Sequence, residues 1–168
     1  MRKSMRKSDW PERGNNMKIY AVIDTNVIIS ALLSRHQDSA TVKILDYLYD
    51  RTIVPVYNDE ILKEYSDVLQ RSKFNFPDGV IKATLEAIRK GGLQSDRIRS
   101  NEQLPDPKDI VFYEVAMSAE DSYLVTGNLK HFPKKPFIVS PAEMVEIIEA
   151  TLLGNKNILS ETGMRYGK

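Results

Sequence analysis

Short, wholly apolar runs separated by helix-length amphipathic segments constrain this chain more than any other feature. Residues 19–23, 52–56, 122–126 and 137–139 read as strands, and 93–98 as a weaker one. Helical patterns fall between them. One begins at Val27, a second covers 39–50, and a third runs from an Asn58 cap to about Arg71. A fourth runs from Asp78 or Gly79 to Lys90, ended by Gly91 and Gly92. A fifth opens at Pro105-Asp106-Pro107, and a last one runs from Pro141 to about Leu153. A strand with no polar face must be covered on both sides, and strands alternating with helices predict a parallel sheet with helices on both faces.

In such a sheet, ligands bind at the carboxyl ends of the strands. The first run, Ile19–Ile23, breaks directly into Asp24-Thr25-Asn26, which places a carboxylate at that edge. An aspartate there also suits a helix N-cap, but Asn26 is the better candidate for the cap and leaves Asp24 free. Glu64 borders the apolar stripe of Ile61, Tyr65 and Val68 on the third helix, while Glu60 turns toward solvent. Asp106, Pro107 and Asp109 have the spacing of a capping box, and the positive helix N-terminus is expected to keep Asp109 ionised. Asn128 ends the run 122–126 after Gly127 as a turn residue.

The segments Val22-Ile23-Asp24-Thr25-Asn26-Val27-Ile28, Glu60 to Tyr65, Leu104 to Asp109 and Tyr123 to Asn128 with Lys130-His131-Phe132 together resemble the PIN-domain nucleases. The resemblance runs from Met17 to about Ala150 and is nearest to the VapC-like toxins of bacterial toxin–antitoxin pairs. It implies an α/β/α sandwich with a mainly parallel sheet and a divalent-metal site that cleaves RNA. The family's acids fall on Asp24, Glu64 and Asp109, as catalytic residues and metal ligands, with Mg²⁺ or Mn²⁺ as the ion. Its fourth position, often aspartate, falls on Asn128, which weakens a second metal site. Thr25, Asn26 and Thr126 are then expected to orient the acids, and Lys130 and His131 to touch the substrate backbone. The resemblance also implies a homodimer and an antitoxin from a neighbouring gene, for which the apolar content near Tyr47, Tyr49 and Tyr57 offers a surface. Arg71, Lys73, Arg97, Arg99 and Lys130 are candidates for gripping the RNA.

Two other readings compete. A PIN-like module with a degenerate site would bind RNA or protein without cutting, on the strength of Asn128. A haloacid-dehalogenase-type phosphatase also uses an aspartate after its first strand, but needs an acid two residues on, where this chain has Asn26. Neither a P-loop nor the dinucleotide glycine pattern is present.

Bulk composition narrows the rest. With no cysteine, a disulfide framework, a thiolate zinc site and a cysteine nucleophile are excluded. A net charge of +1 gives no global attraction to nucleic acid, so any basic surface must be local. No apolar run approaches the ~18 residues of a membrane span, and a cytoplasmic protein is expected. Residues 1–16 repeat Met-Arg-Lys-Ser at 1–4 and 5–8 and lack the apolar core of a secretory signal. They are expected to be a disordered extension, or a basic arm for nucleic-acid phosphates. The domain is expected to span 17–153, with a mobile tail over 154–168.

Overall fold

The computed structural model describes residues 18–166, with 155–166 as a backbone course alone. The N-terminal arm predicted over 1–16 lies outside the described residues. Five strands form one parallel sheet in the order β3-β2-β1-β4-β5, where β1 is Ile19–Ile23, β2 Ile53–Tyr57, β3 Leu93–Gln94, β4 Tyr123–Val125 and β5 Ile138–Val139. Six α-helices accompany them: α1 (Thr25–Leu33), α2 (Ala40–Tyr49), α3 (Asp59–Leu69), α4 (Asp78–Gly91), α5 (Ile110–Ser118) and α6 (Pro141–Tyr166). Every residue of β1 and β2 is buried, so helices must cover both faces, as in a three-layer α/β/α sandwich.

The chain starts in the middle of its sheet. β1 pairs with β2 on one side (Ile19 opposite Ile53) and with β4 on the other (Ile23 opposite Val125). The direction of winding therefore reverses at β1 and β4, which opens a crevice beyond their carboxyl ends. The core beneath it is aliphatic and aromatic, with Ile23, Ile28, Ile61, Tyr65, Phe112, Leu124 and Ile148 among its fully buried side chains.

Local signals account for most boundaries. Ser39 and Asn58 cap α2 and α3 by accepting from the backbone N–H of Val42 and Ile61. The predicted strand over 93–98 shrinks to Leu93–Gln94 because β2 ends at Tyr57, where Asn58 diverts the chain into α3. After Ser95 N–H donates to the Tyr57 carbonyl (2.8 Å), no partner strand remains. Helix α6, expected to end near Leu153, continues as backbone to Tyr166. A single helical glycine costs only about 1 kcal/mol relative to alanine, too little for Gly154 to stop a helix already nucleated.

Gly92 joins α4 to β3 where only glycine fits. A Cβ there would stand 2.4 Å from the Ile88 carbonyl oxygen and 2.5 Å from that of Pro55, both backbone atoms. Gly92→Ala is expected to destabilise the protein by about 1–3 kcal/mol. Gly79→Ala, with no atom within 4 Å of the new methyl, is expected to be neutral or stabilising by up to about 1 kcal/mol. Urea denaturation of the two variants checks the contrast.

Candidate functional site

Asp24 is the first residue beyond β1, and its N–H extends the β1–β4 pairing by donating to the Val125 carbonyl (2.9 Å). The sheet thereby fixes its backbone, and the residue is only 5% exposed. It occupies the N-cap position of α1, yet its side chain makes no capping bond. The sequence reading gave that cap to Asn26. In the structure Asn26 lies inside α1, where its amide joins two loops. Its Nδ2 donates to Asp24 Oδ2 (3.3 Å), and its Oδ1 accepts from the Gly127 N–H (3.2 Å). Extended backbone at Asp24 starts the helix at Thr25, two residues too early for Asn26 to cap it.

Two threonines lock the neighbouring carboxylates. The fully buried Thr126, directly after β4, donates its hydroxyl proton to Asp24 Oδ2 (2.8 Å) and accepts the Asn128 N–H (3.0 Å). Thr25, the first residue of α1, donates to Glu64 Oε2 (2.8 Å). Tyr65, the residue after Glu64, is wholly buried and donates its phenol to the Ile23 carbonyl, tying α3 to the end of β1. Helix α3 is thus tied to the end of β1 and the start of α1 at the glutamate and the residue after it.

Asp109 closes a 3₁₀ turn, Pro107–Asp109, that leads into α5. Asp106 caps this turn by accepting the Lys108 N–H (3.0 Å), as its spacing predicted. Asp109 does not complete a capping box; its Oδ2 lies 3.2 Å from Nδ1 of His131. Burial, outweighing the hydrogen bond from His131, pushes the Asp109 carboxyl above the usual carboxylate range.

The same forces act more strongly on Asp24. Burial first, then the charges of Asp109 and Glu64, raise its pKa to about 6 against the hydrogen bond from Thr126. The structure therefore brings Glu64 and Asp109 within the field of Asp24. They do not close into a cage: among the described residues, no group of three or more His, Asp or Glu side chains could hold an ion as they stand. Asn128 is exposed at the start of a 3₁₀ turn, Leu129–His131, and Lys130 in that turn is exposed as well.

A buried cluster escaped the sequence reading. Glu114, on the apolar helix α5, is only 2% exposed. Arg97 donates to it through Nε (2.8 Å) and Nη2, and also grips both oxygens of Glu60 (2.8 Å each). Burial pushes the Glu114 carboxyl up, but Arg97 and the Ser100 N–H outweigh that and hold it below the usual range. The available signal was a lone acid amid Ile110-Val111-Phe112-Tyr113. Arg97 is thus spoken for and leaves the set of free RNA-gripping cations. Tyr57, offered above as partner-contact surface, is buried with its phenol on the Arg89 carbonyl (3.2 Å); Tyr49 remains 47% exposed.

A family model described as the PIN domain matches residues 20–130, which contain Asp24, Glu64, Asp109 and Asn128. No curated protein matches the chain. Among the described residues, no helix is long and apolar enough to cross a membrane.

A carboxyl that titrates near 6 when folded and near 3.8 when unfolded binds its proton more tightly in the native state. Its contribution to stability therefore falls as pH rises from about 4 to about 6 and stays low above that range. Asp24→Asn keeps the shape and removes the charge, so it is expected to stabilise the chelator-treated protein at pH 7 by about 1–3 kcal/mol. At pH 4 the variant and the parent should match. Thermal melts at the two pH values test this, and equal shifts at both would contradict it.

Proposed function

Since the chain belongs to the PIN-domain family, whose members are in general nucleases, we propose that it is a divalent-metal-dependent endoribonuclease and the toxin of a toxin–antitoxin pair. The observation that carries this reading is a buried Asp24 facing two further acids. Among the described residues, no lysine or arginine is ion-paired to Asp24, Glu64 or Asp109. Elsewhere the fold pairs its buried acid, Glu114, with an arginine. An uncompensated set of carboxylates is a place for a cation.

The donor chemistry fits Mg²⁺ or Mn²⁺, which favour carboxylate oxygens. Mg²⁺ keeps several waters and is held by one or two carboxylates together with substrate phosphates, so no closed three-acid cage is required. Asp24 is the fixed ligand, with Asp109 and Glu64 as its partners and the Asn128 amide oxygen as a neutral fourth donor. When bound, the ion lowers the pKa of a water and polarises the scissile phosphate.

The chain's own groups do the positioning. Thr126 and Asn26 hold Asp24 to one rotamer, and Thr25 aims Glu64. His131 bridges to Asp109 across the crevice, so the turn carrying Lys130 and Asn128 is held against α5. Lys130 then meets the phosphates beside the cleaved bond. A PIN-like module that binds without cutting is the second reading, favoured by the neutral Asn128 at the fourth position. As a toxin the protein acts in the cytoplasm as a homodimer, restrained by a small antitoxin encoded next to it.

Purified protein is expected to cut single-stranded RNA with Mg²⁺ or Mn²⁺ and to stop when the ion is chelated. Asp24→Asn should bring cutting below detection while the circular dichroism spectrum stays unchanged. If variant and parent cut alike, a contaminant is responsible and the nuclease reading falls; if neither cuts RNA but both bind it, the second reading takes its place. Sedimentation at micromolar concentration is expected to give a dimer, and a monomer there removes that part of the proposal.

A further inference from the structure

The turn Leu129–His131 has two sides. His131 touches Asp109 on one, while Leu129 and Lys130 border a cavity of about 620 Å³ on the other. Its volume suits a small organic group such as a nucleotide. Buried Phe132 and Ile138 close it from the core, and Leu129, 42% exposed, stands at its rim. Around this apolar centre lie three lysines, Lys130, Lys134 and Lys135, all exposed. None of the three makes an ion pair among the described residues.

One carboxylate borders the cavity, that of Glu143. It is committed to the start of α6, where its Oε1 accepts the Ser140 N–H (3.1 Å). Three unpaired cations close together repel one another, and a polyanion relieves that cost. An apolar slot ringed by lysines matches a base with a phosphate on either side. Only a single strand has bases free to leave their stack. Because one short turn borders both the cavity and the acids, a single strand can lie across the two.

We propose that this cavity is a nucleotide subsite: it takes an unstacked base of single-stranded RNA next to the cleavage point, with Lys130, Lys134 and Lys135 on the flanking phosphates. The proposal rests on the ribonuclease reading and deepens it by assigning where the strand continues. It gives the enzyme a preference for unpaired regions, since a duplexed base cannot enter.

Binding of a fluorescein-labelled oligouridylate of about ten residues to the Asp24→Asn protein, with Mg²⁺ and across a range of salt, tests it. Lys134→Gln with Lys135→Gln is expected to weaken binding about tenfold. The slope of log affinity against log salt should fall by about 1.4, or about 0.7 for each lost phosphate contact. In the parent protein, RNA should shift the backbone amide resonances of residues 129–138. Unchanged affinity and slope would overturn the subsite, as would amide shifts confined to other regions. So would displacement of the RNA by oligoglutamate at lower concentration than by unlabelled RNA, which would assign the cavity to an acidic protein segment. Cleavage is read separately on the chain with Asp24 intact. Lysine-dependent binding without cleavage removes the nuclease reading alone, and cleavage with lysine-independent binding removes the subsite alone.

Discussion

The pairing of β1 with β4 decides where charge is buried in this protein. It continues one step past the strands, through the N–H of Asp24 on the carbonyl of Val125, and so carries a carboxylate below the surface. Burial costs that group its hydration, which is why its pKa rises to about 6. The surrounding hydrogen bonds soften the cost without removing it. Thr126 and Asn26 both donate to the same oxygen, and each also holds the backbone of the loop after β4. The two loops that frame the crevice are therefore tied together through the acid itself.

The molecule treats its two buried acids in opposite ways. Glu114 is neutralised by Arg97 and a backbone N–H, and its cluster fastens the long connection between β3 and α5 to the body of the fold. That connection ends in Asp109, so a structural ion pair sets the position of a residue at the crevice. Asp24 has no such counter-charge. A buried carboxyl left uncompensated in a fold that elsewhere compensates one marks a candidate functional site. The lysines beyond Asn128 stand apart from these acids and leave a basic, apolar-floored cavity next to an acidic crevice.

Much of this was legible in the chain. Apolar runs without a polar face gave away β1, β2, β4 and β5. The caps at Asn58 and Asp106 were readable because each is a contact between residues two or three apart. The placement of Asp24 and Asp109 at the crevice was readable because an acid directly after a buried strand, or directly before a helix, has few places to go. Failures came where a partner distant in sequence decides. Asn26 was misread as a cap because its true partners include Gly127, 101 residues away. The strand over 93–98 was drawn too long because its length depends on where β2 ends. Arg97 and Tyr57 were taken as surface groups because nothing local reveals Glu114 or the Arg89 carbonyl beside them.

By itself the sequence determined the alternation of elements, the sheet's parallel character and the acids available at its carboxyl edge, all of which follow from periodicity and short-range hydrogen bonding. Tertiary structure alone decided the strand order, the adjacency of β1 and β4, and hence which loops share a crevice. It also decided the raised proton affinity of Asp24, the neutralisation of Glu114 and the cavity beside the turn Leu129–His131. The division has a physical reason: hydration loss and Coulomb interaction depend on distance through space, and only the folded chain sets those distances.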